Sequence, residues 1–348
     1  HEDKWILEED IIGTEAHNIM LFEQGILNEN EISKILNTLE NLRNRAASGD
    51  LILDENFEDV HPYIEKCVIE DVGIEIGGKI HTARSRNDQV SVDIRLRIRK
   101  ELNLLTKKLM GLFEELMKVS REFLNAYMPL YTHLQRGQLG VYSHYVNAYG
   151  AQLLRSIKRI EEVYARINMN PLGACAIGGT SININRDRTT ELLGFDGLIE
   201  NSIDAISSRD YIYETLMLLS VISIQFSRIA EDLIIWSSKE FDYVDLDDQY
   251  CSVSSVMPQK KNPDTLELMR SKISRMTSNL FAASLTIKAI PSGYFRDFQD
   301  LKILLRDSFN ELSSIIDILI GIFSTIKINR NAMKKAVEDS YILALDLA

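Results

Sequence analysis

Residues 210–239 read DYIYETLMLLSVISIQFSRIAEDLIIWSSK, and this stretch decides the fold class. Its apolar residues Leu219, Ile222, Phe226, Ile229, Leu233 and Trp236 recur three and four positions apart, the spacing that lines one face of a long helix. Working outward, a second stripe of this kind passes through Tyr142, Val146, Tyr149, Leu153, Ile157, Ile160 and Ile167. It stops before the loop signals Pro171 and Gly173. Further helices are expected over 264–288 and 301–326. The segment after Asn87 reads differently, because Val90, Val92, Ile94, Leu96 and Ile98 alternate with polar residues as in a strand. No turn residue parts it from the helical spacing of Leu102, Leu105, Leu109, Leu112, Leu116 and Phe123, so one continuous helix is the expectation.

Composition agrees with helix. Only 17 Gly and 6 Pro in 348 residues leave few places for the turns of an all-β fold. Helices of roughly 25–40 residues are about 40–60 Å long, more than one compact subunit covers. Their apolar stripes therefore call for partners, and an all-α, multi-subunit long-helix bundle is expected.

A formal charge of −12 argues against nucleic acid as a partner, since phosphate binding needs Lys and Arg accumulated on one face. The run Arg95, Arg97, Arg99, Lys100 reads as a solvated face. Cys67, Cys175 and Cys251 lack a Cys-x-x-Cys pair, so neither a disulfide framework nor a thiolate zinc site is indicated, and a reducing cytoplasm fits. The most apolar stretches, Leu216–Phe226 and Ile315–Ile326, are too short or, at Asp317, too interrupted to span a bilayer. The chain opens on His1 rather than Met and stops within the apolar-rich Tyr341–Ala348. The natural protein is expected to continue beyond it.

Three polar stretches are more than the helices need. Residues 79–89 (KIHTARSRNDQ) place donors directly before a long helix. A solvated loop with a cap accounts for them equally well, yet Arg84 and Arg86 beside Ser85 and Asn87 also suit a carboxylate-binding wall. Residues 131–135 (YTHLQ) set Thr132 and Gln135 around His133, where they can orient an anion or fix the imidazole tautomer. Residues 251–263 (CSVSSVMPQKKNP) end in a helix start, with Asn262 as cap and Pro263 in the first turn. Capping leaves the paired serines and lysines unexplained. Lys260 at a helix N-terminus makes an anion site, and Ser254 beside it needs that charge, backbone donors and exclusion of water together to act as a base.

In Ser254 to Asn262 the chain resembles the fumarase and aspartase superfamily, whose signature is Ser-Ser-x-Met-Pro-x-Lys-x-Asn. Within it, His81 to Val90 and Tyr131 to Gln135 look like argininosuccinate lyases, and the similarity runs from about residue 5 to the end, Arg228 to Leu233 included. The resemblance implies an all-α long-helix fold with a small helical N-terminal domain over 1–83, a central bundle over 84–331 and, at 332–348, the start of a C-terminal helical domain that is mostly missing. It implies anti elimination of argininosuccinate to arginine and fumarate through a carbanion, in arginine biosynthesis, without cofactor or metal, in a homotetramer whose active sites each draw on three subunits. Carried over by position, Ser254 is the base, Lys260 and Asn262 hold the carboxylate that becomes an aci-carboxylate, and His133 with its partner Glu267 serves the acid side. His61 matches another active-site histidine. Ser85, Arg86, Asn87, Thr132 and Gln135 match substrate-binding positions, as do Arg209, Tyr294, Arg296 and Gln299. Arg296 stands where these lyases commonly have Lys, which keeps the charge and changes the geometry. Adenylosuccinate lyase shares the Ser254 loop and lacks the 81–90 pattern. A non-catalytic homologue like the delta-crystallins is the alternative of a different class. His61, His81 and His133 lack a helical metal-ligand spacing, and Asp242, Asp245, Asp247 and Asp248 lack the glycine of a calcium loop.

Overall fold

The computed structural model describes residues 2–51, 53, 57–257 and 259–344. The expected elements form. The stripe at 210–239 is a helix, Asp210–Ser237, and all six of its periodic residues are at most 3% exposed. In chain order the α-helices are α1 (Leu7–Glu23), α2 (Glu29–Ser48), α3 (Val60–Val72), α4 (Ile74–Gly77), α5 (Arg86–Glu122), α6 (Tyr142–Ile167), α7 (Arg186–Leu192), α8 (Ser202–Ser207), α9 (Asp210–Ser237), α10 (Asp264–Ile287), α11 (Asp300–Thr325) and α12 (Arg330–Glu338). None is long and apolar enough to cross a membrane.

Small strands join them in two-stranded sheets. β1 (Tyr127–Thr132) and β2 (Gln135–Val141) form an antiparallel hairpin, and β3 (Met169–Asn170) runs parallel to β4 (Gly197–Leu198). β5 (Val244–Asp245) pairs with β8 (Lys327–Ile328), and β6 (Ser252–Val253) with β7 (Lys261–Asn262), both antiparallel.

The chain forms two compact units, each discontinuous in sequence. The first comprises His1–Leu102, Glu162–Glu214 and Ala282–Arg306. Here α2 shows how local chemistry fixes an element: Asn28 and Glu31 form a reciprocal capping box, and Gly49 ends the helix at φ 81°, where a Cβ is costly. Its Ile32, Ile35, Leu39 and Leu42 are buried. A second apolar layer packs Ala16, Val92, Leu172, Leu193 and Phe195 together. The strand-like alternation after Asn87 finds its reason here. Asp88, Gln89, Val90, Ser91, Val92, Asp93, Ile94 and Arg95 are all buried, so these two turns of α5 have no solvent face and their polar residues point inward as well.

The arginine run is not the solvated face expected. Arg95 is 4% exposed, stacks on the Tyr211 ring at 3.9 Å and donates to the carbonyls of Ile167 (3.1 Å) and Arg166 (3.4 Å). It thereby neutralises the orphan carbonyls at the end of α6. Arg99 stacks on Phe195 and donates to the Leu193 carbonyl, and Arg97 lies over Trp5 and pairs with Glu101. Aromatic faces and helix-end carbonyls, absent from any local reading, draw these cations in.

The second unit comprises Asn103–Glu161, Thr215–Phe281 and Asp307–Ala348. Its core is built on the α6 and α9 stripes. Tyr142 and Tyr145 both meet Trp236 edge-on, and the Tyr149 hydroxyl donates to Asp232 at 2.7 Å. The polar stretch 131–135 expected outside the helices lies in the β1–β2 hairpin, ahead of α6. Thr132 pairs with Gln135 across a two-residue turn, His133-Leu134, in which both residues have positive φ, 53° and 56°. Such a turn matches the strand twist and normally takes Asn-Gly, so the sequence carried no signal for it. The expected C-terminal segment begins as α12, and its last four residues, 345–348, lie outside the described residues.

Candidate active site

The site residues expected from the sequence fall into two groups, one in each unit. In the first unit, His61, Arg86, Asn87, Tyr294, Arg296 and Gln299 line one small cleft of about 90 Å³. They come from three remote elements: the first turn of α3, the start of α5, and the loop with a 3-10 turn that precedes α11.

The start of α5 is a capping motif with a second use. Ser85 Oγ accepts from the Asn87 amide at 3.3 Å, and Asp88 Oδ1 accepts from the Ser85 amide at 3.0 Å, the reciprocal pattern of a capping box. Asp88 Oδ2 accepts from Gly173 and Cys175 amides as well. Burial pushes its carboxyl up to about 6 even though these amides and Arg84 pull the other way. With the cap met by Ser85 and Asp88, Arg86 and Asn87 project from a fixed helix start. Asn87 Nδ2 donates to the Ala176 carbonyl at 2.9 Å, which leaves its carbonyl oxygen as the group open to a ligand.

Charge in this cleft is balanced by acids the sequence reading missed. Arg86 lies 3.6 Å from Glu58 and 3.5 Å from Asp59, and Arg296 pairs with Glu58. Lys302, also on the cleft wall, pairs with Asp3. Its signal was its place three residues past Gln299 on the opening turn of α11. A dianionic ligand thus meets two guanidiniums and one ammonium already oriented by carboxylates it has to displace. Burial raises the Tyr294 phenol above its ordinary range and keeps it a donor. Arg209 sits behind the cleft. It is 2% exposed, donates through one nitrogen to the carbonyls of Ile206 (2.9 Å) and Ser208 (2.7 Å), and stacks on Phe298, whose own ring meets Tyr294 edge-on.

The second unit carries Ser254, Lys260, Asn262 and Glu267 together with Thr132, His133 and Gln135. Ser254 opens the loop between β6 and β7, closed by its own amide on the Lys260 carbonyl at 3.3 Å. Its Oγ accepts from the amides of Val256 (3.3 Å) and Met257 (3.0 Å). Two N–H dipoles aimed at a hydroxyl oxygen stabilise its anion more than its neutral form, which is what a serine base requires. The paired lysines separate in role. Lys261 is held by Asp245 (3.0 Å), Asp248 (2.8 Å) and the Leu246 carbonyl, whereas Lys260 is exposed and among the described residues makes no ion pair. Asn262 does not cap α10 as expected. It is the end of β7, its amide reaching Ser252 Oγ at 3.5 Å, and the Pro263 carbonyl starts the helix by accepting from Glu267.

Thr132, His133 and Gln135 form the tip of the β1–β2 hairpin, all exposed. Glu267 is exposed in the first turn of α10. Among the described residues no hydrogen bond or ion pair links His133 to Glu267 within one chain. Among the described residues one group has metal-ligand donors in reach of one another: Asp10, His61 and Asp93, with ligand atoms within 4.8 Å. The buried Arg84 guanidinium, coupled to both carboxylates, supplies the positive charge there and opposes a cation.

Comparison with known proteins decides the family. A family model described as "Lyase" matches residues 1–277. The argininosuccinate lyase of Nitrosopumilus maritimus is 44% identical over 100% of this chain and 71% of its own length, and that of Geobacillus thermodenitrificans 42% identical over 99% and 75%. The chain belongs to the argininosuccinate lyase family. Among solved structures, EDDS lyase in complex with formate is 31% identical, with a TM-score of 0.89 over 99% of this chain and 67% of that one. A class II fumarase from Schistosoma mansoni, 17% identical, shares the fold with a TM-score of 0.89. The fold is thus the long-helix fold of the fumarase and aspartase superfamily, and the protein is a lyase acting on a carbon–nitrogen bond.

Proposed function

We propose that this lyase converts argininosuccinate reversibly to arginine and fumarate. The observation that carries the reading is convergence: six residues selected from three remote stretches line one cleft, and its three cations suit a substrate with several carboxylates. Ser254 removes the proton from the succinyl carbon next to a carboxylate, its oxygen prepared by two backbone N–H groups. The electron pair moves into that carboxylate, which Lys260 and Asn262 hold as it becomes an aci-carboxylate. It then returns to form the carbon–carbon double bond as the carbon–nitrogen bond breaks. The leaving guanidino nitrogen takes a proton on the side served by His133 and Glu267. Ser85, Arg86, Asn87, Thr132, Gln135, Tyr294, Arg296 and Gln299 bind substrate, and Arg209 supports Tyr294 through Phe298.

The same reading places the protein in the cytoplasm and in arginine biosynthesis, as a homotetramer whose active sites each combine residues of three subunits. The exposure of His133 and Glu267 in one chain supports that arrangement, because a general acid and its partner need to be brought out of water by a neighbour. So do exposed apolar residues along the long helices, Met217 and Ile224 of α9 and Leu268 and Phe281 of α10 among them. Fumarate absorbance after mixing with argininosuccinate, and separately with adenylosuccinate, tests the activity. Fumarate from argininosuccinate alone is the expected result. Fumarate from adenylosuccinate alone assigns a different substrate, and silence with both points to a non-catalytic homologue.

A further inference from the structure

Behind the cleft of the first unit lie two buried aspartates that the elimination as written does not use. Asp10 stands on α1, Asp93 on α5, and between them is His61, which lines the cleft. His61 Nδ1 is 3.1 Å from Asp10 Oδ1 and 3.7 Å from Asp93 Oδ2, and the side chains are 4%, 0% and 0% exposed. Neither contact yet has the alignment of a full hydrogen bond, a common state of catalytic pairs before substrate tightens them. Asp10 Oδ1 also accepts from Gln89 Nε2, and Gln89 Oε1 meets His81 Nε2 at 3.0 Å, so the amide of Gln89 is oriented from both ends.

Two carboxylates this close, without water, do not both ionise. Burial and the charge of Asp10 push Asp93 well above the ordinary carboxyl range. Burial acts on Asp10 too, but His61, Arg84 and Gln89 outweigh it and hold Asp10 below that range. Asp10 is then the anion and Asp93 the acid. An anion 3.1 Å from Nδ1 fixes a proton on that nitrogen, and in the neutral ring Nε2 is then the acceptor.

We infer that Asp10 is a positioning residue, fixing His61 as the Nδ1–H tautomer so that its unprotonated Nε2 faces the cleft and accepts a hydrogen bond from an N–H group of the substrate. Asp93 backs Asp10 as a neutral acid. This deepens the lyase reading and rests on it for the kinetic part alone.

The test compares isosteric variants of the two aspartates. In Asp10→Asn the side-chain amide donates to Nδ1 and drives the ring proton to Nε2, so turnover falls by about tenfold or more while Asp10→Glu restores part of it. In Asp93→Asn an amide replaces a neutral acid, and turnover stays within about threefold of the parent. Histidine 15N spectra of the wild-type protein show Nδ1–H at His61, and those of Asp10→Asn show Nε2–H. Wild-type Nε2–H, or equal losses in both isosteric variants, overturns the inference. If Asp10→Asn does not fold, the wild-type tautomer decides. If the wild type makes no fumarate, the lyase reading fails while the tautomer remains measurable.

Discussion

Ser254 shows how little a residue's own chemistry settles. An alcohol is a poor base, and its preparation here is two backbone N–H groups, those of Val256 and Met257, whose direction no side-chain pattern announces. Ser254→Ala is expected to lower fumarate production by at least about 10²-fold, the contribution of a positioned proton acceptor. Its melting temperature should stay that of the parent, because a half-buried loop hydroxyl does little for folding; parallel rate and melting measurements separate the two. His17 illustrates the opposite case, a titratable group used only for structure. Burial, helped by the nearby Arg84, lowers its pKa from 6.5 to about 3, against the pull of the Thr82 carbonyl that Nε2 meets at 2.8 Å. Below pH 6.5 the unfolded chain binds a proton at His17 that the native chain refuses, so stability falls as pH drops toward about 3, by on the order of 5 kcal/mol if nothing intervenes. Asp88, raised to about 6, acts with the opposite sign between its unfolded value and 6. The difference between wild type and His17→Gln in urea titrations from pH 7 to pH 4 isolates the histidine: the variant should lose less stability over that range.

At the scale of the element, the hairpin of β1 and β2 is the feature that local rules do not predict. Its turn holds His133 and Leu134 in the left-handed region, which for non-glycine residues costs about 1–2 kcal/mol each. The site accepts that cost and gains a histidine carried at the tip of a paired strand. Leu134 is 63% exposed, so Leu134→Gly removes strain and little packing. After the extra freedom of glycine in the unfolded chain is deducted, a gain of about 0.5–1 kcal/mol in urea unfolding is expected. The start of α5 repeats the lesson in milder form. A cap was legible within 79–89, but that Ser85 and Asp88 would both serve it, leaving Arg86 and Asn87 for the cleft, was decided by which side chains the packed helix turned inward.

For the whole molecule, assembly is the prediction. Met217 and Ile224 lie two turns apart on one face of α9, 44% and 49% exposed. A double substitution of both by Asp should convert the proposed homotetramer to smaller species in light scattering at unchanged helix content, and an unaltered mass would place the interface elsewhere. By itself the sequence determined the long helices, because apolar spacing of three and four residues has one compact solution, and it determined the family, because the motifs around Ser254, His133 and Arg86 are dense and ordered. Asp10, Thr14 and His17 were visible only as polar residues at helical spacing on α1, with nothing local to say that they face inward. Tertiary structure alone decided that the arginines of α5 stack on aromatic rings, that Lys261 is neutralised while Lys260 makes no ion pair among the described residues, and that Asp10 and Asp93 meet His61. These contacts are made with partners 13 to 116 positions away in the chain, as the pairs Lys261 with Asp248 and Arg95 with Tyr211 show, and periodicity carries no information over such distances.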